Sequence, residues 1–184
     1  MMDIRRSTMM IRQANNADID AIVEIYDEII TAEEKGLLST GWIHGIYPTS
    51  KTAEEALERG DMYVLEDCGI LASGVINQIQ VDVYYGAPWE HDTDDVCVLH
   101  TLAVSTGASG RGYGRAFVEF YEQLAKEHGL MELRIDTNAI NTAARALYRK
   151  MGYKEIDIVP TDFNGLPGID LVLLEKHLDL EQNG

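Results

Sequence analysis

Four glycines stand within eight residues, at Gly107, Gly110, Gly112 and Gly114, with Arg111 and Arg115 beside them. The run follows a nearly continuous apolar stretch, Val96 to Val104, and leads into the amphipathic segment "RAFVEFYEQLAKEHG". Strand, glycine run and helix in that order turn unpaired backbone N–H groups toward one spot, with the positive end of a helix behind them. Such a spot binds an anion, and phosphate is its common guest. Glycine lets the phosphate reach the backbone and tolerates positive φ. The bland alternative is a glycine-rich turn with no ligand.

Two phosphate chemistries fail on spacing. A nucleotide-triphosphate loop needs lysine and then serine or threonine after its last glycine, but Tyr113 and Gly114 follow Gly112. A dinucleotide fingerprint needs a third small residue, and the two frames that start at Gly110 and Gly112 reach Arg115 and Phe117 instead. Asp136, at the end of the next apolar stretch, would suit a ribose and keeps that reading in play.

The elements that must position this run can be read from periodicity. Ile19, Ile22, Val23, Tyr26, Ile29 and Ile30 recur at helical spacing behind Asn16 or Asp18 as caps. "TAEE" from Thr52 reads as a capping box for a short helix that stops near Gly60. "MYVLEDCGILASGVINQIQ" predicts two strands joined at Asp67 to Gly69, and "VCVLHTLAV" a strand covered on both faces. After the glycine run comes a helix that buries Phe117, Phe120, Tyr121 and Leu124. "MELRID" is a strand, "NTAARALYRKMG" a helix capped by Asn141 or Thr142, and "YKEIDIV" and "GIDLVLLEK" are closing strands. The composition does not break, so residues 9–184 read as one α/β domain behind a tail of residues 1–8.

Net charge is −16, from 31 acidic and 15 basic residues. A surface of that sign repels nucleic acid and anionic membrane, so neither is an expected partner. No run approaches the ~20 apolar residues that span a bilayer, and the start of the chain lacks the apolar core of a signal peptide. Cys68 and Cys97 read as two buried free thiols in a reducing cytoplasm, which is the expected location. No cysteine and histidine spacing matches a zinc motif, and no metal is expected.

"LAVSTGASGRGYGRAF" resembles the acetyl-CoA signature of the GNAT N-acetyltransferase superfamily, a strand ending Leu-Ala-Val that runs into Arg/Gln-x-x-Gly-x-Gly/Ala. "NTAARALYRKMGY" resembles the same family's Asn-x-x-Ala-x-x-Leu-Tyr helix, and "IRQANNADIDAIVEIYDE" its opening strand and helix. With the opening segment counted, the resemblance covers nearly the whole folded chain, and the two motifs stand in order with a strand between them. The resemblance implies a GNAT-like α/β domain: a central mixed, mostly antiparallel sheet flanked by helices and splayed at the acetyl-CoA site. It implies acetyl-CoA as co-substrate and direct transfer of acetyl to a primary amine of a small molecule or a peptide N-terminus. The alternative function is an acyl-CoA-binding regulatory domain without catalysis.

By the same resemblance, the cofactor lies against Leu102, Ala103 and Val104 on the strand. It also meets Ser109, Gly110, Arg111, Gly112, Tyr113, Gly114 and Arg115 in the loop and helix start, and Asn141. Ser109 stands where the family has Arg or Gln, which leaves Arg111 or Arg115 to supply charge. Tyr148 is the expected general acid. His100, two residues before Leu102, is a candidate base, with Glu90, His91, Asp92, Asp94 and Asp95 as alternatives through water. Acceptor-facing residues are expected in Leu37–Pro48, with Trp42, His44 and Tyr47, and in Val81–Asp95, with Tyr84, Tyr85 and Trp89. A homodimer is compatible with the resemblance, although no segment dictates one.

Overall fold

The computed structural model describes residues 9–179, so the tail expected over residues 1–8 lies outside the described residues. Seven strands form one sheet in the order β1-β2-β3-β4-β5-β7-β6. They are β1 (Met10–Gln13), β2 (Met62–Glu66), β3 (Ile70–Asn77), β4 (Val96–Val104), β5 (Glu132–Asn138), β6 (Lys154–Phe163) and β7 (Leu166–His177). Four helices accompany them: α1 (Ile19–Glu34), α2 (Ser50–Arg59), α3 (Tyr113–Glu127) and α4 (Thr142–Lys150). Only β4 and β5 pair in parallel; every other neighbour is antiparallel. No helix among the described residues is long and apolar enough to cross a membrane.

α1 buries Ile22, Tyr26, Ile29 and Ile30 as its spacing predicts, and Ile25 with them, whereas Ile19 and Val23 are only half-buried. Each such side chain contributes about 1.5–3 kcal/mol when fully removed from water. Ile22, Ile25, Tyr26 and Ile29 pack with Ala53 and Ala56 of α2 on one face of the sheet. α3 covers the other face with Phe117, Val118 and Tyr121, while Phe120 and Leu124 are only partly buried. A third apolar cluster joins Tyr84 and Trp89 to Val96 and Val98 of β4 and Leu171 and Leu173 of β7. The 81–95 segment is therefore laid over the sheet, with its two large rings inside.

Local chemistry differs from expectation in small ways. α2 opens one turn earlier than predicted, with Thr49 and Thr52 as the reciprocal capping pair, and stops at Gly60 with φ of 77°. Asn15 and Asp18 form a capping box around a single 3-10 turn, and α1 continues from it. Cys68 is exposed in the β2–β3 turn rather than buried; Cys97 is in the core, where burial pushes its thiol up to about 12. Both are free.

The first turn is tied to the sheet edge by Arg12, whose guanidinium donates to both oxygens of Asp18 at 2.8 and 2.9 Å. That pairing holds the Asp18 carboxyl below its ordinary value. A lowered folded value means the stabilisation is complete above the unfolded carboxylate range and is lost as pH falls through the folded one. Asp18→Ala should cost about 1–3 kcal/mol at pH 7. In urea titrations that deficit should shrink as pH falls through the folded value of Asp18; a deficit that does not change with pH would assign the effect to packing.

Candidate active site

The parallel pair β4 and β5 runs in register from Val96/Glu132 to Leu99/Ile135 and then stops. Both strands continue, β4 to Val104 and β5 to Asn138, so a wedge opens between them. On its other side β4 carries a bulge. Between the pairs Val75/His100 and Ser73/Ala103, Thr101 and Leu102 stand against Gly74 alone. Thr101 takes φ of 50°, as a bulged residue can.

A one-residue insertion exchanges the two faces of a strand. Before the bulge, Cys97 and Leu99 face the α3 cluster; after it, Leu102 and Val104 do, and Ala103 turns to the α1 side. Leu102 consequently shares Gly74 with Thr101 on one side and lies beyond the β5 pairing on the other. Gly74 opposite the bulge is obligatory, because a Cβ there would meet the Phe117 ring at 2.7 Å.

The glycine run crosses from the wedge to α3. Ser105 and Thr106 are pinned to α1, with the Ser105 hydroxyl and the Thr106 N–H donating to Glu28 at 2.8 and 3.1 Å. Ser109 N–H donates to Thr106 carbonyl oxygen at 3.3 Å and Arg111 N–H to that of Ala108 at 3.4 Å, closing tight turns. Gly112 caps α3 with φ of 88°, and no atom lies within 4 Å of where its Cβ would be. The first helical bond runs from Ala116 to Gly112 carbonyl oxygen at 2.9 Å. The N–H groups of Tyr113, Gly114 and Arg115 therefore have no intrahelical acceptor. Gly114 lies close under α4, its Cβ position 3.4 Å from Leu147 and 3.7 Å from Val104.

Side chains in the run are partly committed elsewhere. Tyr113 is buried and donates its hydroxyl to Asp67 at 2.7 Å, with Arg111 over its ring at 5.1 Å. Arg115 pairs with Glu119 one turn on at 2.8 Å. The loop thus offers backbone N–H groups first and charge second.

A cleft fills the wedge, and its walls include Leu102, Asp136, Asn141, Tyr148, Trp42 and Tyr47. Asn141 caps α4 by accepting the Ala144 N–H at 3.2 Å. Tyr148 of α4 is buried edge-on to Tyr153, and burial raises its phenol above the ordinary value. A second cleft, on the other side of the hydrogen bond between Tyr47 and Thr101, is walled by His100, Asn77, Glu55 and Arg59. His100 Nε2 lies 3.1 Å from Asn77 Oδ1, and burial lowers its imidazole below the ordinary value.

The expected residues divide accordingly. Tyr148, Asn141 and Leu102 share one cleft, and His100 looks into the adjoining one. Trp42 and Tyr47 line a cleft as their segment suggested, whereas His44 turns outward to Glu34 and Asp27. Tyr84 and Trp89 are core residues and present no ring to an acceptor. Glu90 pairs with Lys154, and His91 lies against Glu132. Glu132 begins β5, about 13 Å along the strand from Asp136, so these two alternative bases stand at the wrong end of the sheet.

Sequence position alone suits Asp136 to a ribose, yet in the structure it is the acid in the cleft wall. Tyr84 donates to its Oδ2 at 2.7 Å, and burial raises its carboxyl despite that bond and the nearby His100. Nothing in the linear order links Tyr84 to Asp136; the signal was an acid ending an otherwise apolar strand.

The sequence model of the acetyltransferase (GNAT) family matches residues 46–153, well over half of the chain. The chain belongs to that family. No curated protein matches the sequence. Among solved structures, a GNAT-family acetyltransferase from Streptococcus agalactiae superposes with a TM-score of 0.77 at 24% identity, covering 94% of this chain and 96% of that one. The ribosomal-protein-S18-alanine N-acetyltransferase of Escherichia coli gives 0.65 at 21% identity, over 96% and 98%. A Salmonella typhimurium structure described with its cofactor acetyl-CoA gives 0.69 at 18% identity, over 97% and 98%. At these identities the likeness is one of fold, and the fold is the mixed, wedge-opened α/β sheet expected.

A raised carboxyl is stabilising while protonated. Its contribution is complete below the unfolded carboxylate range and is lost as pH rises through the folded value. Asp136→Asn, which keeps an acceptor for Tyr84, should therefore melt above wild type at pH 7 and level with it below about pH 4. A variant that melts lower at pH 7 would show that the charge itself is structurally paired.

Proposed function

We propose that the domain of residues 9–184 is an acetyl-CoA-dependent N-acetyltransferase that passes acetyl directly to a primary amine of a small molecule or a peptide N-terminus. The observation that carries this reading is the neighbourhood of three features. They are the edge of β4 that β5 leaves unpaired past Leu99, the Tyr148 phenol in the cleft wall with Leu102, and the free N–H groups at the start of α3, where Gly114 lies close to Val104 and Leu147. A long ligand with phosphates at one end and amides along its arm fits that sequence of donors. The open space at Gly112 admits a phosphate to the backbone, and the β4 edge offers main-chain pairing to an extended arm.

In this reading Gly110, Gly112, Tyr113, Gly114 and Arg115 hold the pyrophosphate, with Ser109 and Arg111 at its rim. Leu102, Ala103 and Val104 pair with the arm, and Asn141 orients the α4 start. Acetyl-CoA supplies a thioester, an acyl group already activated toward an amine. The Leu102 backbone N–H, on the stretch of β4 beyond its pairing with β5, polarises the acyl carbonyl. Tyr148, kept protonated at neutral pH by burial, holds the proton that the departing sulfur takes. Asp136 stands in the wall of the wedge and His100 in that of the adjoining cleft, and an amine that enters there must lose a proton before it attacks. With its imidazole lowered, His100 is neutral and able to accept one at neutral pH.

Thiol release from acetyl-CoA is the direct assay, run against a panel of polyamines, aminoglycosides, amino acids and short peptides. Release that depends on an acceptor supports the reading, and tight binding without release for every amine would favour the non-catalytic alternative. Tyr148→Phe should lower kcat by about 10²–10⁴-fold with acetyl-CoA affinity unchanged; equal turnover would remove the phenol from the mechanism. Gly112→Val should lose acetyl-CoA binding by calorimetry, at a stability cost of about 1–2 kcal/mol for the positive φ. Retained affinity would move the phosphate site elsewhere. His100→Gln should abolish the acid limb of the kcat/KM profile, which in wild type should lie below about pH 6.5. A profile that keeps its shape would leave His100 as a partner of Asn77 only.

A further inference from the structure

The other end of β5 carries a cluster that the acetyl-transfer reading does not use. Glu132 and His177 are cross-strand partners at the last pair of the β5–β7 ladder. The 81–95 segment brings His91 over them. Nδ1 of His177 lies 2.5 Å from Glu132 Oε1, and Nδ1 of His91 lies 3.3 Å from the same oxygen. The two imidazole rings stack at 4.8 Å with a tilt of 33°. One ligand atom from each residue falls within 4.8 Å of the others.

We propose that His91, Glu132 and His177 form a binding site for one zinc-class divalent ion, which clamps the 81–95 segment to the sheet. Two imidazoles and a carboxylate are a donor set that zinc accepts, with water in the fourth position. Zinc–ligand bonds of about 2.0–2.2 Å in a tetrahedron place neighbouring donors roughly 3.3 Å apart. The His91–Glu132 distance already has that value, and the His177 contact needs to lengthen by less than ~1 Å to reach it. Imidazole donors favour zinc over magnesium or calcium, which prefer oxygen.

The site is also held in place from both sides. Arg134, two residues beyond Glu132 on β5, donates to the His91 carbonyl oxygen at 3.1 Å and lies 4.1 Å over the Trp89 ring. Glu175, two residues before His177 on β7, accepts the Glu90 N–H at 3.1 Å. The backbone that carries His91 is thus fixed before any ion arrives. Glu132 is 12% exposed, and the two histidines are 53% and 45% exposed, which leaves the fourth position to solvent. In a chain of net charge −16 the surrounding field favours a cation. The three residues come from three distant parts of the sequence, so no local spacing announced them.

The proposal stands independently of the acetyl-transfer reading, and its test does not use activity. Tag-free, chelator-stripped protein would be titrated with Zn²⁺ against a chromogenic zinc indicator, and its melting followed with and without the ion. Wild type should take up one Zn²⁺ per chain and gain roughly 5 °C in Tm at a hundredfold excess over Kd, with no response to Mg²⁺. His91→Ala and Glu132→Gln should each weaken binding roughly tenfold or more. Zinc uptake unchanged in the His91→Ala/His177→Ala double variant would overturn the site. So would wild-type protein that neither retains zinc nor gains in Tm, a result that needs no variant to fold.

Discussion

The separation of β4 from β5 after Leu99 and Ile135 is the constraint on which the rest of the molecule depends. Two parallel strands that remained paired would bury their N–H and C=O groups in each other and leave no edge for a ligand. The bulge at Thr101 and Leu102 bends β4 away and increases its twist locally. Tyr121, from the middle of α3, reaches the Cys97 carbonyl oxygen at 2.5 Å and that of Arg134 at 3.2 Å, tying the two strands together just before they part. The wedge is therefore bounded by a fixed hinge line rather than by frayed strand ends. Tyr47 bonds Thr101 at the bulge itself, so the loop before α2 partitions the opening into two clefts.

A chain this acidic is an unexpected host for a polyanion, and geometry resolves the conflict. Exposed carboxylates farther than about 8 Å are screened at physiological salt, while in the proposed site the N–H groups of Tyr113, Gly114 and Arg115 would meet a ligand directly. Within the clefts the balance is different again. Asp136 is held in the wall by Tyr84 at a cost that burial makes visible in its raised carboxyl. His100 is lowered for the same reason. Two titratable groups displaced in opposite directions, one in each of two adjoining clefts, are the pattern expected where protons are moved.

Much of this was legible in the sequence because the signals were local. The strand limits of β4, the glycine run and the α4 cap at Asn141 all follow from composition and spacing within a dozen residues. Tyr148 was legible through its motif. What escaped was non-local. The bulge at Thr101 leaves no mark on an apolar strand, yet it decides which way Leu102 faces. The 81–95 segment carries aromatics and acids that look suited to a cationic acceptor, but Tyr84 and Trp89 are needed to cover Val96, Val98 and Leu173. Partners such as Tyr84 with Asp136, or His91 with Glu132 and His177, become neighbours only through the sheet order.

The most direct test of the central claim is an amide NMR titration of the protein with acetyl-CoA. If the wedge and the start of α3 are two ends of one site, the amides of Leu102, Tyr113, Gly114 and Arg115 should shift together along one binding curve. Shifts confined to the α3 amides, with Leu102 and its β4 neighbours unmoved, would contradict the account: the loop would then be an anion site without a seat for the reacting thioester.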